Sequence, residues 1–252
     1  MRGIRPIELV RDSLERLSFP PLARPRVAPK GAATEELVQW GTKLYVYSVI
    51  AHIRKILAGL AQLAHTENVP AANIVSRHIF EWAAQMCRMN RKLKDCYQRK
   101  DWEKAWSILT PAAVGNLWAK EHGAKYAPPS APPLPVVPDP PRIGKAITEY
   151  EEYQSQTHGW REAKDTYGLL SEFSHPNAAC LQQYQTIGND GSMAIGYLDD
   201  SGGASSPLPF VNLCLVDFML FVDELLQLAR DAAVQVSIRR VLGDLLELKK
   251  GP

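Results

Sequence analysis

Eight prolines fall between residues 128 and 141. Proline has no backbone N–H, and its ring clashes with the preceding helical turn. Neither a helix interior nor a central strand can run through such a stretch. Residues 127–142 therefore read as a Pro-rich insertion that crosses the surface of one domain in polyproline II. The alternative reading is a docking ligand for an SH3-like partner.

Helical spacing dominates on both sides of this break. Residues 6–17 form an amphipathic helix with Pro6 suited to its first turn, and prolines 20, 21, 25 and 29 follow as an extended connector. The chain is thus divided into an N-terminal helix and connector, 1–33, and a single helical domain, 34–252. Thr34 ahead of Glu35 and Glu36 is a helix start, and apolar residues recur at helical spacing from Leu37 to Leu63. Pro70 opens a second long helix that runs to about Tyr97. Asp101 and Thr110 are N-caps for two short helices, the second with Pro111 at its first position and Gly123 at its end. Helices resume over 142–156 and 158–175. Asn189-Asp190-Gly191 between two short apolar runs predicts a hairpin near 184–198. From Pro207 to Lys249 the pattern is one long helix or two stacked ones, with Gly243 as the weak point. The predicted fold class is all-α, a helical bundle with one small β-hairpin and a Pro-rich surface segment.

Composition narrows the function classes. Of 252 residues, 46% are hydrophobic and 22% charged, which excludes a largely disordered chain. The net charge of +2 gives no general attraction to polyanions. The first twenty residues hold four arginines and no apolar stretch, and the apolar run Phe210–Val222 is broken by Asn212 and Asp217. Neither resembles a secretory leader or a membrane span, so a cytoplasmic protein without membrane contact is expected. Cys87, Cys96, Cys180 and Cys214 have no CxxC or zinc spacing and read as reduced thiols. No P-loop, GxGxxG or HExxH occurs, so no metal and no cofactor are predicted.

Charge is uneven along the chain. Between residues 88 and 104 seven cations face three acids, and Tyr97, Trp102 and Trp106 stand in or beside the run. The plain reading is a solvated helix face with core aromatics. The sharper one is a basic, base-stacking patch for RNA. The stretch 199–231 is the reverse, with six acids and only Arg230.

Three groups of residues could carry chemistry. On the helix through 158–175, Tyr167, Ser171 and His175 are four apart and share a face with the small Ala163, Gly168 and Ser174, which would admit another helix. His175 precedes Pro176 at a helix C-terminus, where the dipole favours the imidazolium and suits it to acid–base work or to capping. On the helix opened by Pro70, the stripe Val75, Ile79, Trp82, Met86, Met89 and Leu93 is apolar, and Arg77, Glu81 and Arg88 lie opposite. Arg77 and Glu81 then read as a solvated pair unless another element covers them. Asp217 and Glu224 are seven apart among phenylalanines; Asp217 needs a partner, and Arg77 or His175 could supply it. Finally, Ile238, Val241, Leu242, Leu245 and Leu248 make the last helix a candidate for a homodimer or protein-partner contact.

Two pieces stand together: Ser76-Arg77-His78-Ile79-Phe80-Glu81, and Tyr167-Gly-Leu-Leu-Ser171-Glu-Phe-Ser-His175-Pro-Asn177. The pairing resembles an uncharacterised bacterial helical family with Arg-x-x-x-Glu and Tyr-x-x-x-Ser-x-x-x-His helices, and is distantly similar to the HEPN superfamily. The resemblance spans residues 40–200 and implies one of two roles. The first is a binding or regulatory helical protein of a bacterial phage-defence or toxin–antitoxin system, which uses Arg77, Glu81, Tyr167, Ser171 and His175 as a structural polar cluster or a small ligand pocket; Asn177, and Asp217 on the separate ground of its apolar surroundings, are added to the candidate binding residues. The second is a metal-independent endoribonuclease, with His175 moving protons and Arg77 stabilising phosphorane charge. The HEPN ribonuclease motif places an Arg four to six positions before its His. Here those positions hold Leu169, Leu170 and Ser171, which favours the first role.

Overall fold

The computed structural model describes residues 4–23, 25, 33–66, 68–114, 143–159, 165, 167, 168, 170, 171, 185–187, 193–195 and 208–250. Among them stand seven helices: α1 (Ile4–Glu15), α2 (Glu35–His65), α3 (Val69–Arg99), α4 (Trp102–Val114), α5 (Ile143–His158), α6 (Leu208–Leu228) and α7 (Ala232–Lys250). Asp165, Tyr167, Gly168, Leu170 and Ser171 also have helical backbone. Two three-residue segments, Gln185–Ile187 and Met193–Ile195, pair antiparallel with Thr186 opposite Ala194. The turn residues 188–192 lie outside the described residues, as do the Pro-rich residues 127–142.

Local chemistry explains the boundaries. Thr34 caps α2, its hydroxyl accepting from Leu37 N–H at 3.2 Å, as its sequence predicts. Asn68 caps α3 through Ala71 N–H, with Pro70 in the first turn. Lys100 closes α3 in the left-handed region at φ 56°, and Asp101 accepts from Lys104 N–H at 3.1 Å to start α4 at once. Two expectations need correction. Thr110 does not cap a further helix: α4 runs through Pro111 to Val114, and the Thr110 hydroxyl donates to its own helix at Trp106 O. The chain between Pro207 and Lys249 breaks at Arg230, φ 53°, not at Gly243. Asp231 then restarts the helix, accepting from Val234 N–H.

Helix α3 is the central element. It packs against α6, α5, α2 and α4, while α6 also meets α7 and α1. The first helix does not stand apart from the rest. Its Ile7, Val10 and Leu14 are fully buried in the same core as α2, α3 and α6. Ile79, Met86, Met89 and Leu93 of the expected α3 stripe are buried, whereas Val75 and Trp82 are only partly covered. Tyr97, Trp102 and Trp106 pack on the core, with Tyr97 edge-on to Trp102 at 5.2 Å, so they are not a free stacking platform. Val234, Ile238, Val241 and Leu245 bury the apolar side of α7 against its own domain. Of the helix's large apolar residues, Val236 and Leu246 are exposed, and Leu242 and Leu248 are partly covered.

Among the described residues, α2 is long and apolar enough to cross a membrane. Half of its apolar window is buried by other helices, as in the core helix of a globular protein.

Candidate functional site

Helix α3 carries Arg77 and Glu81 one turn apart, and the helical stretch around Tyr167 lies over them. Arg77 Nε donates to Glu81 Oε1 at 3.0 Å, and an Arg77 terminal nitrogen lies 3.4 Å from the Tyr167 hydroxyl. That hydroxyl in turn donates to Glu81 Oε1 at 3.0 Å. The guanidinium carbon also sits 5.5 Å from the Tyr167 ring centre. The pair is therefore no plain solvated couple: a tyrosine ninety residues away closes a three-membered network. Burial lowers the Arg77 pKa, but its bond to Tyr167 and the charges beside it outweigh burial and leave it raised. The Tyr167 phenol is raised by burial and then by the Glu81 charge.

One side of this network is open. Ile74, His78 and Trp82 follow each other at helical spacing on α3, and His52 comes across from α2. The His52 ring meets His78 edge-on at 5.8 Å and Trp82 at 5.3 Å. His78 Nδ1 lies 3.5 Å from the second oxygen of Glu81. Ile74 is 49% exposed. Burial, and then the charge of His78, pulls the His52 pKa below the ordinary histidine value.

The other expected residues have different surroundings. Ser171 is partly covered, and its hydroxyl is enclosed without a partner among the described residues. Gly168 is exposed, and among the described residues nothing stands within 4 Å of where a Cβ would be. His175 and Asn177 lie outside the described residues. Asp217 is fully buried, and the partners described for it come from α5. Its oxygens accept from the Tyr150 hydroxyl at 2.8 Å and from Gln154 Nε2, and His158 Nε2 stands 2.9 Å away. Glu224 pairs instead with Asn90 and with Lys94 at 2.8 Å, so the two acids do not share a site. No group of three metal-ligating side chains occurs among the described residues.

Sequence reasoning missed Tyr150, Gln154 and His158 as partners of Asp217, although the signal is present. They are spaced by four along α5 and so share one face. The same Tyr-x-x-x-polar-x-x-x-His spacing recurs as Tyr167, Ser171 and His175. In each row the tyrosine hydroxyl donates to a carboxylate, Asp217 in one and Glu81 in the other. Phe80 lies between the two tyrosines, 5.2 Å from Tyr150 and 5.0 Å from Tyr167. The Tyr150 phenol is pushed far up by burial first and by Cys214 and Asp217 after it.

The basic run 88–104 is largely neutralised. Arg88 is buried and pairs with Glu149 at 2.9 Å, against the expectation that it faces solvent. Arg91 meets Glu152, Lys94 meets Glu224, and Arg99 and Lys104 both meet Asp95. No family model, no curated protein and no solved structure matches this chain.

Proposed function

We propose that this chain is a binding or regulatory helical protein whose ligand site is the Arg77–Glu81–Tyr167 network with the His52/His78/Trp82 shelf beside it. The observation that carries this reading is the Tyr167 hydroxyl, which ties a second element to both charged groups of α3. A preorganised guanidinium and carboxylate beside half-exposed rings can fix the orientation of a small polar ligand while the rings cover its apolar part. A place in a bacterial phage-defence or toxin–antitoxin system is what the HEPN-like resemblance adds. The Pro-rich stretch and the predicted hairpin belong to the same picture, as a surface connector and a small appendage to the bundle.

The ribonuclease alternative fits less well. Arg77 already spends its Nε and one terminal nitrogen on Glu81 and Tyr167, whereas a phosphorane-stabilising guanidinium must meet charge as it develops. RNA as a partner through the 88–104 run is likewise weakened by the ion pairs along it.

Two assays separate the readings. A thermal-shift screen of small anionic and zwitterionic compounds is expected to give ligands whose effect disappears in Arg77→Ala and shrinks in Tyr167→Phe. Incubation of a mixed RNA pool in EDTA is expected to leave the RNA intact; cleavage that vanishes in His175→Ala would replace the binding reading with the nuclease one.

A further inference from the structure

Two histidines stand at the edge of the Arg77 network, outside its hydrogen bonds. His52 and His78 come from different helices, α2 and α3, and both are open to solvent; the His78 side chain is 52% exposed. Their ring centres are 5.8 Å apart, with the planes at 66°. An imidazole nitrogen binds a first-row metal ion at about 2.0–2.1 Å, so two rings that share one ion have their centres about 5–6 Å apart. The spacing of His52 and His78 lies in that range. His78 is also oriented as metal-bound histidines are. Its Nδ1 lies 3.5 Å from Glu81 Oε2, and Glu81 is itself fixed through Oε1 by Arg77 and Tyr167. A carboxylate beside one ring nitrogen leaves the other as the metal ligand and raises its basicity. Among the described residues, neither His78 Nε2 nor either ring nitrogen of His52 has a hydrogen-bond partner. Burial, and then the charge of His78, favours the neutral His52 ring, whose lone pair a metal needs.

We propose that His52 and His78 hold a divalent transition-metal ion between α2 and α3, at the edge of the Arg77 network. Imidazole ligands suit Cu²⁺, Ni²⁺ and Zn²⁺ rather than Mg²⁺ or Ca²⁺, which take oxygen ligands. Two protein ligands leave the remaining positions of the ion to water, or to a donor atom of a molecule seated on the network. Because its ligands come from two helices, the ion binds the folded chain in preference to the unfolded one and ties α2 to α3. The site does not depend on the network having an organic ligand, and its test uses the metal alone.

The test titrates Ni²⁺ into the full chain, with Mg²⁺ as the reference, and reads calorimetry, tryptophan emission and the unfolding midpoint. A Ni²⁺ ion is expected to bind where Mg²⁺ does not. The Trp82 ring stands 5.3 Å from the His52 ring, so the bound paramagnetic ion quenches part of the emission. At about ten times its dissociation constant, Ni²⁺ raises the folding equilibrium constant about 11-fold, which appears as a higher unfolding midpoint. His52→Gln and His78→Gln, both at exposed positions, are each expected to lose the quenching and at least about tenfold in affinity, since one of two protein ligands goes. His65→Gln, at another exposed histidine of α2, is expected to bind as the native chain does. Equal binding by the native chain and both variants means an adventitious ion only and overturns the proposal. So does the absence of binding, and so does a loss confined to one variant, which would mean a contact with a single histidine.

Discussion

Asp217 is a carboxylate without exposed surface, held by a phenol, an amide and an imidazole from one face of α5. Replacing it with alanine strands all three donors at once. Asp217→Ala is expected to destabilise the chain by about 3 kcal/mol, whereas Asp217→Asn keeps an acceptor and costs about half as much. The urea midpoint at constant slope measures both; equal losses would mean that charge, not lost acceptors, governs the site. His52 allows a second prediction of known sign. Its folded pKa lies below the unfolded value of 6.5, because burial and then His78 disfavour its charged form. The unfolded chain therefore binds the proton more readily, so the stability from neutral His52 is complete above about pH 6.5 and is lost as pH falls below it. His52→Gln is expected to show a shallower acid-side fall in unfolding midpoint than the native chain; an unchanged slope would remove His52 from the acid response. At this scale the sequence makes charge and spacing legible but not burial. Arg88 looks like a surface cation, and only Glu149, sixty-one residues away, makes its burial tolerable. No local pattern records such a distant partner.

Element boundaries were legible where a side chain caps its own helix. Thr34, Asp101 and Pro70 act within one turn of their place in the sequence, so residue type alone points to them. The break between α6 and α7 was hidden, because the left-handed residue there is Arg230 and not a glycine, and apolar spacing continues across it. Glycines show the same limit from the other side. Gly41 and Gly243 both sit inside helices and look alike in sequence. A Cβ on Gly41 would stand 2.8 Å from the Trp106 ring, where α2 and α4 pack, while one on Gly243 meets nothing within 4 Å. Alanine gains about 1 kcal/mol of helix propensity over glycine at either place. At Gly41 that gain is outweighed by the cost of shifting Trp106, about 1–3 kcal/mol. Gly41→Ala is thus expected to lower the unfolding midpoint and Gly243→Ala to raise it. The pair is read in one denaturant series, and a rise for both would show that the α2/α4 contact yields without strain.

For the molecule as a whole, the question is whether helices from both ends of the chain open as one unit. Three cysteines are placed to answer it. Cys87 and Cys96 lie on α3 and Cys214 on α6, all buried. Burial pushes the Cys87 thiol up to about 12 and raises Cys96 and Cys214 as well. Thiolate is the reactive form, so at pH 8 these thiols are doubly protected, by exclusion of reagent and by a small thiolate fraction. The Cys180→Ser variant leaves only these three thiols. Helix α3 is the central element and touches α6 directly, while α1 ties α2 to α6 and α7. A core shared in this way cannot expose Cys87 without uncovering Cys214. All three thiols are therefore expected to react at one common rate that follows global unfolding and rises together with urea. If Cys214 reacts much faster than Cys87 in the absence of denaturant, then α6 and α7 open on their own. The chain would then hold two cooperative units rather than the single one that its shared core implies.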